Sequence, residues 1–278
     1  MADGFHGRRK KQAARTMSAL VCFCSIAAGA CTSSNQNPAQ SPEAQSHAEH
    51  ELAKDAYKKG RLRDVLGHVQ KALEHDETNA EAAYLGASVH LQFCAADEKS
   101  SDCRWEDAEK YARIAVEANP DMRDAKNMLG VILVHRGRYD DAVTVLKPLA
   151  NDILYNFPES AWGNLGWAYL LQGNTDEAID ALRRALAAQP LFCVGAYRLG
   201  LAYEKKGDLT AARDAFTKAV ETPSPDCQRL QDAFDARARV GAKQGLRDEV
   251  RADLTKCVDI GSATAVGKKC AETLKSMQ

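Results

Sequence analysis

The sequence predicts an all-α fold, a right-handed superhelical solenoid of about six helical hairpins closed by a C-terminal capping helix. Three observations carry that prediction. Gly166 and Gly200 lie 34 residues apart with matched surroundings: Trp162-Gly163-Asn164-Leu165-Gly166-Trp167-Ala168-Tyr169 is answered by Ala196-Tyr197-Arg198-Leu199-Gly200-Leu201-Ala202-Tyr203. The match continues downstream, where Gly173, Ala178, Leu182 and Ala185 are answered by Gly207, Ala212, Phe216 and Ala219. Third, Gly and Pro punctuate the pattern in turn. Gly60, Gly137, Gly173 and Gly207 fall between paired helices, where left-handed backbone suits Gly. Pro120, Pro158, Pro190 and Pro223 fall between hairpins, where Pro ends one helix without damaging the next.

A period of 34 with Leu-Gly-x-x-Tyr, then Gly, then two Ala is the signature of the tetratricopeptide repeat (TPR). Small residues sit where paired helices approach closely, and Leu, Tyr and Phe fill the gaps between them. Such hairpins cannot bury their apolar faces alone, so they stack into a curved array that presents a groove. The pattern therefore predicts a binder.

The register extends in both directions. Unit one, residues 48–78, keeps Tyr57, Gly60 and Ala72. Unit two starts near Ala80 with Tyr84, Leu85 and Gly86, and its second helix carries Trp105, Ala108, Ala112 and Ala115. Residues 95–102 form a polar insertion between those helices, closely flanked by Cys94 and Cys103. Unit three runs from Arg123 through Leu129, Gly130, Tyr139, Ala142 and Leu146. Gly130 and Gly166 are 36 residues apart, which places two extra residues around Asn151–Ser160. Unit six, residues 227–257, is stretched, with Gly245 in its turn, and a helix from Thr264 to Met277 caps the open end.

The N-terminus predicts a signal peptide over residues 1–30. Arg8, Arg9, Lys10, Lys11 and Arg15 precede an apolar stretch from Met17 to Ala30, too short to span a bilayer comfortably. Ala28-Gly29-Ala30 satisfies the small-x-small rule of ordinary signal peptidase, and Ala28-Gly29-Ala30-Cys31 is also similar to a bacterial lipobox in which Cys31 is lipidated. Ala28 stands where a lipobox usually has Leu. The Ser-, Asn-, Gln- and Pro-rich residues up to 47 suit a tether, so residues 31–47 are expected to be a lipidated flexible linker and 48–278 the superhelical domain. Thr32 in place of Asp after Cys31 favours the outer membrane by analogy with enteric sorting. The expected location is outer membrane, lipid-anchored and facing the periplasm.

Nine cysteines divide accordingly. Cys22 and Cys24 lie in the signal segment and Cys31 is the lipid site, which leaves Cys94, Cys103, Cys193, Cys227, Cys257 and Cys270. An even number in an exported chain suggests disulfides, although six cysteines allow fifteen connectivities. The closest in sequence are Cys94 with Cys103 and Cys257 with Cys270. That leaves Cys193 with Cys227, one repeat apart. Neighbouring helices stand about 8–10 Å apart and a disulfide needs alpha carbons within about 7 Å, so this pair requires a local bend. Free buried thiols are the alternative.

Lys and Arg total 37 against 38 Asp and Glu, so the charge balance gives no argument for nucleic acid. No Gly-rich phosphate loop, nucleophile elbow, paired-carboxylate spacing or metal-ligand spacing occurs, and no catalytic residue, metal site, cofactor or small-molecule substrate is expected. The first helix of each hairpin lines the groove. It would contribute Asn127, Val131, Val134 and His135 from unit three, Ser160, Trp167 and Leu171 from unit four, and Tyr197, Leu201 and Lys205 from unit five. Trp167 could instead pack on its neighbouring helix, while Tyr169 and Tyr203 are core by register.

Residues 120–278 resemble a narrower group. Asp124-Ala125-Lys126-Asn127-Met128-Leu129-Gly130-Val131, Asp152-Ile153-Leu154-Tyr155-Asn156-Phe157-Pro158-Glu159, Pro190-Leu191-Phe192-Cys193 and Cys227-Gln228-Arg229-Leu230 are similar to stretches of the type IV pilus pilotins, the Tgl/PilF/PilW class of TPR lipoproteins. The resemblance implies a six-repeat outer-membrane lipoprotein without chemistry of its own. Its partners would be secretin subunits, whose ring it helps to assemble, with Tyr155 joining the partner-binding set. The competing reading is a generic TPR lipoprotein adaptor for envelope or β-barrel assembly complexes.

Overall fold

A computed structural model describes residues 41–277, which lie in one compact unit. The signal segment, Cys31 and most of the expected tether lie outside the described residues. Fourteen helices follow one another among those described. Hairpins form from α1 (Pro42–Lys58) with α2 (Leu62–His75), α3 (Ala80–Ala96) with α4 (Trp105–Ala118), and α5 (Arg123–His135) with α6 (Tyr139–Ala150). They continue with α7 (Pro158–Gln172) and α8 (Thr175–Ala188), then α9 (Cys193–Lys206) and α10 (Leu209–Glu221). A single turn, α11 (Pro225–Gln228), precedes the sixth hairpin of α12 (Gln231–Lys243) and α13 (Arg247–Ile260), and α14 (Ala265–Ser276) closes the array. The predicted helical-hairpin solenoid is therefore what forms. None of the described helices is long and apolar enough to cross a membrane.

The repeated Leu-Gly position explains how each hairpin closes. A Cβ added to Gly166 would come within 2.6 Å of Leu182 Cγ, and the same clash meets Gly130 on Leu146 and Gly200 on Phe216. In each case the partner lies sixteen residues later on the second helix, fully buried. Glycine is needed there for close approach, not for its torsional freedom. Freedom is needed in the turn: Gly173 and Gly207 end α7 and α9 with φ of 100° and 87°, a left-handed cap open to glycine at little steric cost.

First helices of successive hairpins touch one another: α3 meets α5, α5 meets α7, α7 meets α9 and α9 meets α12. Second helices pack chiefly on the first helices of their own and the following hairpin. The first helices therefore form the inner, groove-bearing layer. Ala108, Ala112, Ala142, Ala178, Ala185, Ala212 and Ala219, wholly buried, let the second helices lie close against them.

Two boundaries differ from the sequence reading. Helix α1 begins at Pro42, inside the stretch assigned to the tether. Pro42 sits in the first turn, the Ser41 hydroxyl accepts from Ala44 N at 3.2 Å, and Ser46 is buried, accepting from Asn79 Nδ2 at 2.8 Å. Polar composition suggested linker, but a capped start and a burial partner make it helix. In hairpin six the register is displaced, because α12 opens at Gln231, four residues beyond the position a strict repeat would give. The extra residues form α11.

That turn also resolves the cysteines. Disulfides join Cys94 to Cys103, Cys193 to Cys227 and Cys257 to Cys270, with alpha carbons 4.3, 5.7 and 6.3 Å apart. Cys193 opens α9 and Cys227 lies in α11, so the inserted turn supplies the bend that the pairing requires. Cys94–Cys103 closes the base of the polar loop, whose Asp102 pairs with Arg63 at 2.8 Å.

Candidate functional site

The groove is built by α5, α7 and α9, and a polar ladder crosses it. Asn164 Nδ2 donates to Asn127 Oδ1 at 3.0 Å, and Arg198 Nη1 donates to Asn164 Oδ1 at 3.0 Å and to the Gly163 carbonyl at 3.1 Å. Three successive first helices are thus tied at one level. The Arg198 guanidinium lies 5.4 Å from the centre of the Trp167 ring, within cation–π range. Desolvation pushes the Arg198 pKa down to about 10. Further along α9, Lys205 Nζ donates to the Leu170 carbonyl at 3.0 Å.

Most predicted groove residues stand on this layer. Asn127, Val131, Ser160, Trp167, Tyr197 and Leu201 are partly buried, and Leu171 is exposed. Trp167 does both things the sequence allowed: its ring packs on the core formed with Leu165 and Leu170, and its face carries Arg198. His135 stacks on Trp105, with ring centres 4.5 Å apart and planes within 9°, so it joins hairpins two and three. Burial holds its pKa below the usual histidine value. Tyr169 and Tyr203 are only partly buried; their rings lie against the core, and the Tyr203 hydroxyl accepts from Arg183 Nε at 2.8 Å.

Two predicted positions are corrected. Val134 is buried among α5's core residues and leaves the groove. Tyr155 is only 7% exposed and belongs to the core shared by hairpins two to four. Burial, then the charge and hydrogen bond of Asp124, push its hydroxyl pKa well up. Tyr155 is the anchor of its loop instead of its contact surface.

The sequence reading named only Tyr155 in this loop and missed the apolar side chains that the loop presents. Between α6 and α7, Asp152 accepts from Leu154 N at 2.9 Å and from Arg123 Nε at 2.7 Å, and Tyr155 N donates to the Asp152 carbonyl at 3.1 Å. The Leu154 amide, followed by Arg123, holds the Asp152 carboxyl below the usual carboxylate range. Fixed this way, the loop turns Ile153, Leu154 and Phe157 outward at 96%, 67% and 52% exposure. Leu191, in the next inter-hairpin connection, is likewise exposed. Apolar side chains held open on a fixed backbone are unfavourable in water and characteristic of interaction sites. Their signal was present in the two-residue excess of the third connection. Among the described residues no group of three or more His, Cys, Asp or Glu is placed to hold a metal ion.

The fold and the repeat pattern define a tetratricopeptide repeat protein, and sequence models of that repeat match residues 102–151, 160–190 and 196–223. Among solved structures, PilW, a widely conserved type IV pilus biogenesis factor, superposes with a TM-score of 0.66 at 20% identity, covering 81% of this chain and 98% of that one. PilF of Pseudomonas aeruginosa gives 0.62 at 16% identity, covering 84% and 99%. A tetratricopeptide repeat protein from Parabacteroides merdae gives 0.61 at 16%, covering 87% and 86%. At these identities the likeness is one of fold. No curated protein matches the sequence.

Proposed function

We propose that this chain is a pilotin-type scaffold: a lipoprotein, anchored through Cys31 to the outer membrane and facing the periplasm, that binds secretin subunits and promotes their assembly into the pilus ring. The observation that carries the reading is the fixed Asp152–Phe157 loop, which offers Ile153, Leu154 and Phe157 to a partner at the start of α7, the helix that also carries Trp167 and Leu171. Likeness in fold to two pilus biogenesis factors over nearly their whole lengths supports it.

The mechanism needs no chemistry. An apolar segment of an unassembled subunit buries its surface on the loop and groove, at roughly 25 cal/mol per Å² removed from water. A lipid at Cys31 would confine the complex to two dimensions and raise the effective concentration of subunits for ring closure. The test is an immunoblot for heat-resistant secretin multimers in cells lacking this chain, complemented by wild type or by Cys31→Ala. Loss of multimers, restored by wild type alone, is the expected result. Multimers that persist without the chain refute the pilotin reading and leave a general envelope adaptor.

A further inference from the structure

A cavity of about 700 Å³ opens away from the groove, between α2 and α4, the second helices of hairpins one and two. Two residues that line it depart from what the fold asks of them. The first is His90 of α3. Four residues after the close-approach glycine, hairpins three and four place Val134 and Leu170, both buried, and hairpin five places Glu204, which is bonded by Arg239 and Lys243. Hairpin two places His90 there, only 4% exposed, its ring stacked on Tyr111 with centres 5.8 Å apart. Its Nδ1 is enclosed and has no hydrogen-bond partner among the described residues. Burial holds its pKa below the usual histidine value, so at neutral pH the ring is uncharged, with one donor and one acceptor. Burying such a ring unpartnered is unfavourable, whereas the apolar side chains at the same repeat position carry no such cost.

The second is Gly67, in the interior of α2. Every other glycine inside a described helix would bring an added Cβ within 4 Å of a neighbouring atom; at Gly67 it would meet nothing. Glycine weakens a helix interior, and here no packing contact requires it. An occupant that lies flat on Gly67 and hydrogen-bonds the imidazole accounts for both departures. The walls set its chemistry. Leu66, Leu73 and Ile114 are apolar, while Glu74 and Glu77 on the α2 side oppose Arg104 and Lys110 on the α4 side, and Arg104 already pairs with Asp107 at 2.6 Å. Mixed signs around one mouth select no net charge. Hydroxyls on an aliphatic ring match this lining, because each both donates and accepts while the ring's C–H face lies on the apolar wall. We infer that the cavity is a saccharide site, in which an uncharged mono- or disaccharide packs a C–H face over Gly67 and hydrogen-bonds His90 through a hydroxyl. The site is separate from the groove and from the Asp152–Phe157 loop, and it does not rest on the scaffold reading.

The test uses the full purified chain carrying isotope-labelled histidine, titrated with glucose, galactose, mannose, N-acetylglucosamine, maltose and cellobiose at millimolar concentration. At least one should bind and shift the His90 imidazole resonances, which His90→Val assigns by deleting them. Gly67→Ala should weaken that binding tenfold or more while raising Tm by about 2–4 °C, since its methyl takes ligand space and improves the helix. His90→Val should weaken it as much, with the fold retained because hairpin three carries valine at that position. If that variant folds poorly, Gly67→Ala decides by itself. Saccharides that leave the His90 resonances unmoved, or that bind Gly67→Ala as tightly as wild type, overturn the site. Movement of His90 by glutamate, lysine or trialanine where no sugar moves it also overturns the saccharide assignment, in favour of a charged or peptide occupant.

Discussion

Tyr155→Ala and Leu154→Ser are neighbouring changes with opposite expected effects. Tyr155 is 7% exposed and belongs to the core shared by hairpins two to four, with the outward-facing Phe157 ring edge-on to it at 5.9 Å. Truncating a buried aromatic to Ala costs about 3–5 kcal/mol, and here it also removes the hydroxyl from Asp124. For a domain of this size about 1 kcal/mol corresponds to roughly 2–4 °C in melting temperature, so Tyr155→Ala should lower Tm by about 6 °C or more. Leu154 is 67% exposed, and a surface change of this kind is worth within about 0.5 kcal/mol of nothing. Thermal melts followed by circular dichroism measure the first effect. Capture of secretin subunits by the purified chain measures the second, where Leu154→Ser should lose binding with Tm unchanged. A Tyr155→Ala melt within about 1 °C of wild type would show that the loop is not anchored by that ring, and the assignment of Leu154 as presenter would fall with it.

Four further outcomes follow from the packing. Glu109, buried between Arg113, Arg136 and Arg138, should cost about 2 kcal/mol when changed to Gln, the partly exposed arginines recovering some hydration; chemical denaturation at neutral pH reads this. Burial pushes the Glu109 pKa up, but bonds and charges from Arg113, Arg136 and Arg138 outweigh it and leave the folded value below 4.5. Its contribution is thus complete above about pH 4.5 and lost as pH falls through the folded pKa, so wild type and Glu109→Gln should converge in stability in acid. Closing loops with sequence separations of 34, 13 and 9, the disulfides Cys193–Cys227, Cys257–Cys270 and Cys94–Cys103 should contribute about 3.8, 2.9 and 2.6 kcal/mol, an order that paired Cys→Ser variants should reproduce in their melting temperatures. Gly166→Ala forces a methyl against Leu182, and about 1–3 kcal/mol of strain outweighs the helix-propensity gain of about 1; combining it with Leu182→Ala should cost clearly less than the sum of the single changes.

The hairpin array was legible in the sequence because its determinants are local and repeated. Gly166 with Leu182 and Gly200 with Phe216 are the same contact written twice, at a spacing fixed by helix geometry. Turn glycines and inter-hairpin prolines act through their own backbone, which makes them readable one residue at a time. Register alone also placed Asn127, Trp167, Leu171, Tyr197 and Leu201 on the first helices of their hairpins, where they stand.

What the repeat could not specify lies where the chain leaves it. The Ser41 cap and buried Ser46 turned a polar tether into helix, because a helix start depends on one cap and one burial partner and not on average composition. The four residues of α11 displaced hairpin six and brought Cys227 to Cys193. In the third connection, sequence pattern could not say which of four apolar residues turns inward. Tertiary packing decided it: Tyr155 fills the core, and the Asp152–Arg123 contact turns Ile153 and Leu154 to solvent. Arg198 likewise looks like any surface arginine in the sequence. Among the described residues it meets a carbonyl, a carboxamide and a Trp ring but no carboxylate, and only the folded neighbourhood could reveal that.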